Sequence, residues 1–383
     1  MGTNEDSLVA RQLRAWGDLP AIVGDVFGIG DGNAIEEAID RFCSEHLGRA
    51  VTADEFFDIG VGSVHGVRLE DGRRVLVKAR RRQTSREHLA AAQGIQRQLV
   101  ERGFPCPTPL VGPSTLAHGV GVAETWLDAG ARGDPHEPEL RRAMAATLAR
   151  LVELCRQLEP EGLESASTTP LGRLWPEPHD ARFDFDGTAR GAEWIDAVVV
   201  RARSNLAGGG PTVIGHRDWR AENIRFTVGQ VVAVYDWDSL GVLTEPELVG
   251  NAAHYFTSDF RVETRLQVPS LDDALAFVAD YETARACPFS GEQTIAVRAS
   301  IVTAMADTAR CEHSDALTDF GRQPAATEPS RQSIPDGTAR AFLKQHAEEL
   351  LTSRCRREDR PSARGAGSWR GTAATDGRSS RPG

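Results

Sequence analysis

The chain has 383 residues, of which 40% are hydrophobic, and a formal net charge of −11. This length predicts two or three domains or lobes with packed cores. The acidic charge argues against nucleic-acid binding, and because no apolar run of about 18 residues exists, we expect no membrane span and no membrane partner. No signal peptide is visible and the six cysteines form no CxxC pair, so we expect a cytoplasmic protein with reduced thiols.

The first part of the chain predicts a β-rich lobe preceded by helices. Residues 1–50 are polar with helical periodicity and predict an N-terminal helical extension. Residues 51–127 predict the lobe itself, with a hairpin turn at Asp71-Gly72 and a following strand that carries Lys78. Ser85–Gly103 predicts the one helix of this lobe.

The remainder predicts a larger helical lobe and a tail. Residues 128–350 are mainly helical in pattern, with a loop-and-hairpin insert near their middle. Residues 351–383, rich in Arg, Gly and Ser, predict a disordered tail. Because that tail is basic, the rest of the chain is still more acidic than the whole, which again disfavours nucleic acid. The predicted fold class is α+β, with a small β-rich N-lobe and a larger, mainly helical C-lobe.

The insert in the larger lobe carries the chemistry. Residues 216–223 read HRDWRAEN, and Asp236 follows at the end of the apolar run VVAVY. Phosphoryl transfer from ATP needs a carboxylate near the acceptor hydroxyl and two oxygen ligands for Mg²⁺. Asp218 suits the first role, and a hairpin that returns Asp236 beside Asn223 would supply the second, because Mg²⁺ prefers hard oxygen ligands.

This segment resembles the catalytic loop and metal-binding Asp of the aminoglycoside phosphotransferase and choline kinase-like family, which has the protein kinase-like fold. The family loop usually reads His-Gly-Asp, so Arg217 is a departure towards the protein-kinase spelling. The resemblance covers roughly residues 50–310. It implies an ATP-dependent phosphotransferase with ATP and Mg²⁺ as cofactors and a hydroxylated small molecule as substrate.

The resemblance also implies roles in the N-lobe. Lys78, one of only two lysines in the chain, would bind the α- and β-phosphates and pair with a helix glutamate, for which Glu87 is the candidate. Gly60 and Gly62 would form the glycine loop, although the spacing to Gly66 is one residue longer than in G-x-G-x-x-G. Glycines that simply serve turns are the alternative.

The nucleobase and the acceptor would lie between the lobes. The resemblance implies that adenine hangs from the backbone of the connector Glu124–Leu127, which includes Glu124 and Trp126. A small-molecule acceptor would contact Phe183–Trp194 and Asn251–Asp259. The aromatic residues beside the catalytic carboxylates are expected to pack rather than to stack on substrate; they are Trp219 and Trp237.

Two other functions fit this pattern less well than a small-molecule kinase does. A protein kinase is disfavoured, because only eight residues separate Asp236 from Glu245 and no DFG is present. A non-catalytic nucleotide-binding sensor or partner protein with the same fold is the rival from another class. Net acidity favours a cationic acceptor such as an aminoglycoside. Four acidic residues either line a pocket for such a cation or form a solvated helix face. They are Asp238, Glu245, Glu247 and Asp259.

Overall fold

The smaller lobe is built on one antiparallel sheet. The computed structural model describes residues 7–15, 21–165, 173–178, 183–262, 267–317 and 337–352. The sheet has the strand order β1-β2-β3-β5-β4, with these bounds: β1 Val51–Ile59, β2 Ser63–Leu69, β3 Arg74–Arg80, β4 Pro109–Leu116 and β5 Gly119–Thr125. The predicted turn at Asp71-Gly72 joins β2 to β3, and Gly72 adopts the left-handed conformation there, with φ of 81°.

The two faces of this sheet have different partners. Because side chains alternate along a strand, Val75, Val77 and Ala79 of β3 face one way and lie in an apolar core. Three helices complete that core: α1 Leu8–Ala15, α2 Ala21–Phe27 and α3 Gly32–Leu47. Lys78 and Arg80 belong to the opposite face and contact carboxylates of the larger lobe. The helical extension therefore covers one face and leaves the other to the cleft.

A fourth helix, α4 (Arg86–Glu101), also packs against the sheet. It begins at a capping serine, since the Ser85 hydroxyl accepts a hydrogen bond from the His88 amide at 3.1 Å. Leu89, Ile95 and Leu99 are buried along one stripe. The predicted helix is confirmed to within two residues at each end.

The larger lobe is mainly helical. Its helices are α5 Pro138–Cys155, α6 Glu193–Arg203, α7 Glu245–Tyr255, α8 Leu271–Ala284, α9 Gly291–Leu317 and α10 Ala339–Thr352. They enclose the main apolar core, which includes Leu148, Phe256 and Met305. The predicted α+β architecture, with a β-rich small lobe and a helical large lobe, is confirmed. Beyond Thr352, the predicted tail lies outside the described residues.

Two short antiparallel strand pairs hold the HRDWRAEN segment. Strand β6 (Thr212–His216) pairs with β9 (Leu240–Thr244), and β7 (Ile224–Thr227) pairs with β8 (Gln230–Val234). The loop from β6 to β7 and the loop from β8 to β9 therefore emerge side by side.

Among the described residues, no helix combines the length and the apolar character needed to cross a bilayer.

Candidate active site

His216 orders the loop that carries Asp218. Its ring is buried, and Nε2 lies 2.8 Å from the Tyr235 carbonyl oxygen. Nδ1 accepts a hydrogen bond from the Asp218 amide at 3.3 Å, so the proton belongs on Nε2. Burial lowers the pKa of His216, which keeps the ring neutral. Both predicted packing residues are confirmed as buried and contact this ring edge to face: Trp219 and Trp237.

The carboxylate of Asp218 is held from two sides. Asn223 Nδ2 donates to Asp218 Oδ2 at 2.9 Å and to the Asp218 carbonyl at 3.0 Å. Arg220 Nε lies 3.1 Å from the same carboxylate oxygen. Because the Asn223 nitrogen is directed at Asp218, its side-chain oxygen is the atom available to a metal ion.

Asp236 stands at the start of the neighbouring loop in an unusual backbone conformation. Its φ of 66° is left-handed, which is uncommon for a residue other than glycine. Ser239 Oγ donates to Oδ2 at 2.8 Å, so Oδ1 is directed at the cations of the small lobe. Burial alone would raise the pKa of Asp236, but the charges of Lys78 and Arg80 lower it well below its usual range.

Lys78 is buried among three carboxylates. Its Nζ lies 3.2 Å from Glu124 Oε1, 3.4 Å from Asp238 Oδ1 and 3.8 Å from Asp236 Oδ1. Burial alone would lower the pKa of Lys78, but these carboxylates raise it above its usual value, so the ammonium stays charged.

The predicted pairing of Lys78 with Glu87 is wrong. Glu87 lies in the first turn of α4 and its side chain is exposed. The partner is instead Glu124, on the strand next to β3, where Lys78 aligns with Val122 and Leu76 aligns with Glu124. Helix α4 contributes the side chain of Gln96, whose Nε2 donates a hydrogen bond to Glu124 Oε2 at 3.1 Å.

The two predicted loop glycines differ in what the structure demands of them. Gly60 donates its amide hydrogen to the Gly62 carbonyl at 2.8 Å, and a Cβ on Gly60 would meet no atom within 4 Å. A Cβ on Gly62 would lie 2.4 Å from the Ala79 carbonyl oxygen and 2.7 Å from Arg80 Nη1. Only Gly62 is therefore required for the loop to rest on β3.

The connector makes contacts besides the predicted one to adenine. Glu124 turns a buried side chain towards Lys78, and its backbone role towards adenine stays a prediction. The Trp126 amide already donates to the Arg74 carbonyl at 3.2 Å. The indole of Trp126 lies 3.9 Å from the Arg74 guanidinium and against Gly66, where a Cβ would come within 2.1 Å of the ring. An aromatic face thus lines the cleft side of the sheet at the connector.

The predicted cation pocket is wrong, and so is its alternative of a solvated helix face. Glu245 accepts from Tyr281 Oη at 2.7 Å and pairs with Arg285. The other acids are also engaged: Asp238 by Lys78 and Arg80, Glu247 in the capping box of α7 with Thr244, and Asp259 by Arg132 at 2.6 and 2.7 Å. Each carboxylate already has a cation or a hydrogen-bond donor.

The segment Phe183–Trp194, predicted to contact the acceptor, is anchored to helix α9. Arg310 is almost fully buried and donates to the carbonyls of Phe185 and Thr188 at 2.6 and 3.2 Å. The segment Asn251–Asp259 is closer to the chemistry, because Asn251 Nδ2 donates to the Arg217 carbonyl at 2.6 Å.

Two cationic side chains of the site were not predicted from the sequence. Arg80 Nη2 lies 3.3 Å from Asp236 Oδ1 and 2.5 Å from Asp238 Oδ2, and Arg220 pairs with Asp218. Each stands two residues after a predicted site residue. On a strand, that spacing alone places Arg80 on the face of Lys78, which is a signal that could have found it.

The donor set suits a magnesium ion held together with phosphates. Within the described part of the chain, no group of three or more His, Cys, Asp or Glu side chains is arranged to hold a metal ion. Mg²⁺ commonly takes only one or two protein ligands and completes its shell with water and substrate phosphates. Asp236 and Asn223, on adjacent loops, fit that pattern.

Comparisons with known proteins agree with this geometry. Residues 63–244 match the family model described as the phosphotransferase enzyme family. No curated protein matches the sequence. An amicoumacin kinase structure with AMP-PNP and Ca²⁺ is similar at 12% identity and a TM-score of 0.51, covering 83% of this chain and 94% of that one.

Two further solved structures are similar at lower scores. A spectinomycin phosphotransferase with ADP has 11% identity and a TM-score of 0.49, covering 82% of this chain and 93% of that one. An ethanolamine kinase from Plasmodium vivax has 14% identity and a TM-score of 0.48, covering 76% and 81%. The chain has the kinase-like two-lobe fold, and its residues 63–244 match the model of the phosphotransferase enzyme family.

Proposed function

We propose that the protein transfers the γ-phosphoryl group of Mg-ATP to a hydroxyl group of a small molecule. The observation that carries this proposal is the convergence of Asp218, Asp236 and Lys78 on one cleft. Asp236 and Lys78 are in direct contact, and the charges of Asp236 and Asp218 are close enough to interact. The similar amicoumacin kinase was solved with AMP-PNP and Ca²⁺, which motivates the same pairing of nucleotide and divalent cation here.

In this proposal Asp218 receives the proton of the acceptor hydroxyl. Asn223 and Arg220 hold its carboxylate in one orientation, so little reorganisation is needed when the hydroxyl arrives. Asp236 and Asn223 would hold Mg²⁺, which would offset the charge that develops on the transferring group.

Lys78 would bind the phosphates from the small lobe. Its charge is maintained by Glu124, and the buried amide of Gln96 holds that glutamate in place. A lysine fixed in this way presents a preorganised cation to an incoming anion. Gly62 lets the loop above the phosphates approach the strand closely.

A small-molecule acceptor fits the chain better than a protein substrate does. The residues after Asp236 go directly into a short helical turn, Trp237–Ser239, and then into β9, and α7 begins at Glu245. This run leaves no segment for the activation loop and peptide platform of a protein kinase.

The acceptor would approach over an aromatic surface beside Asp218. The Arg220 guanidinium lies 5.5 Å from the Tyr255 ring centroid and 5.7 Å from that of Phe260. Phe260 is 57% exposed, so its ring is accessible to a bound molecule. Because the nearby carboxylates are already paired, we propose that ring and sugar faces contribute more to acceptor recognition than a polycationic charge does.

The direct test is a search for the phosphorylated product. Purified protein would be incubated with Mg-ATP and a panel of hydroxylated compounds that includes aminoglycosides, macrolides, amino alcohols and neutral sugars, and each compound would be examined by mass spectrometry. Gain of one phosphoryl group on a panel member, absent in an Asp218→Asn control, is the expected result. Tight Mg-ATP binding without a product from any acceptor would instead favour a nucleotide-binding partner protein.

A further inference from the structure

Arg80 occupies the centre of the cleft, between the two lobes. It belongs to β3 of the small lobe, while its partners Asp236 and Asp238 belong to the larger lobe. Only 11% of its side chain is exposed. Arg80 thus joins the two lobes through two ion pairs with residues that are far from it in the sequence.

The glycine loop rests on this same side chain. A Cβ on Gly62 would lie 2.7 Å from Arg80 Nη1 and 2.8 Å from Arg80 Cδ. The space under this loop is where a kinase places the phosphates of its nucleotide. The guanidinium therefore lies where the proposed kinase function would place the phosphates.

Arg80 also holds the oxygen that the proposed metal site needs. Asp236 Oδ2 is engaged by Ser239, and Oδ1 is the atom that faces Arg80 at 3.3 Å. A guanidinium and a divalent cation repel one another at such a distance. Arg80 and the metal ion cannot both keep this oxygen as their main partner.

We propose that Arg80 is a phosphate-binding residue that exchanges partners when Mg-ATP binds. In the nucleotide-free protein it neutralises Asp236 and Asp238. When the nucleotide arrives, the guanidinium moves to phosphate oxygens beneath Gly62, and the two carboxylates become available. The planar fork of arginine suits both partners, because it donates paired hydrogen bonds to carboxylate and to phosphate alike. This inference rests on the proposed kinase function.

The exchange predicts two effects of opposite sign in Arg80→Gln. Without nucleotide, Mn²⁺ binding measured by electron paramagnetic resonance tightens by at least about fivefold, because the competing cation is gone. Binding of Mg-AMP-PNP, measured by calorimetry, weakens by roughly 10- to 100-fold, the usual effect of losing a charged hydrogen bond. A residue that merely supports the fold would weaken both.

Two further variants make the test specific. Arg82→Gln removes the same charge from an exposed residue two positions along the chain, and both affinities should stay within about twofold of the wild type. Arg80→Lys keeps the charge without the fork, so its nucleotide affinity should lie between those of the wild type and Arg80→Gln. Arg80→Met, which also removes the charge, replaces the glutamine variant in both measurements if that variant does not fold.

The outcomes separate this inference from the proposed function. Wild-type protein that fails to bind Mg-AMP-PNP overturns the kinase proposal and the Arg80 exchange with it. If wild-type protein binds the nucleotide and Arg80→Gln leaves either affinity unchanged, the exchange alone is overturned. Tighter Mn²⁺ binding together with weaker nucleotide binding, absent in Arg82→Gln, supports it.

Discussion

Replacing Glu124 by Gln should destabilise the protein far more than the same change at Glu87. The substitution keeps the shape of the side chain and removes the charge that lies 3.2 Å from Lys78 Nζ. Both side chains are almost fully buried, with exposures of 5% and 6%, so solvent does little to screen the pair.

The expected loss follows from the geometry. At 3.2 Å and an effective dielectric constant of about 20, the gross attraction is about 5 kcal/mol. Lys78 keeps Asp236 and Asp238 as partners, and glutamine retains an oxygen that can accept a hydrogen bond. We therefore expect the free energy of unfolding to fall by about 2–3 kcal/mol, below the usual range for breaking a buried pair.

Urea unfolding of three proteins provides the assay: wild type, Glu124→Gln and Glu87→Gln. Glu87 is exposed in the first turn of α4, so its variant should stay within about 0.5 kcal/mol of the wild type. Mg-AMP-PNP affinity should also fall only in Glu124→Gln, because Lys78 loses the partner that positions it. Equal losses in the two variants, or a larger loss in Glu87→Gln, would refute the assignment of Glu124 as the partner.

Three further predictions concern pH, the glycine loop and a helix cap. Burial lowers the pKa of His65 to about 3, so at a pH below about 6.5 the unfolded chain binds a proton at this residue that the folded chain does not. The free energy of unfolding should therefore fall by about 2 kcal/mol from pH 7 to pH 5. Urea titrations should show a shallower pH dependence in His65→Gln. Gly62→Ala should weaken Mg-AMP-PNP binding by about 1–3 kcal/mol, because the added Cβ meets the Ala79 carbonyl. Gly60→Ala should leave this affinity unchanged. Equal calorimetric affinities in the two variants would contradict the prediction. Thr244→Ala removes the capping box of α7 and should cost about 1 kcal/mol in urea unfolding; an unchanged midpoint would show that the cap does not matter.

Local features were predictable because their determinants lie close together in the chain. Alternating apolar residues and the Asp71-Gly72 turn located β2 and β3, and Ser85 located the start of α4. The HRDWRAEN segment and Asp236 are joined by one hairpin, so a short stretch of sequence sufficed to predict that they meet.

Partners that depend on strand order or lobe closure were not predictable in this way. Glu124 reaches Lys78 only because β5 lies beside β3 in the sheet. The order of strands in a sheet cannot be read from the pattern of residues along the chain. The contact of Arg80 with Asp236 joins residues 156 positions apart. The cations that neutralise Glu245 and Asp259 likewise lie far from them in sequence.

The most direct test of the central claim compares turnover and nucleotide binding in Asp218→Asn. Asp218 is assigned to the acceptor hydroxyl and not to the nucleotide, so phosphoryl transfer to the acceptor found in the panel should fall by roughly 10²- to 10⁴-fold while Mg-AMP-PNP affinity stays within about twofold. ³¹P NMR would follow the product phosphomonoester and calorimetry the affinity. Undiminished product formation by the variant would contradict the role of Asp218 and, with it, the proposed mechanism.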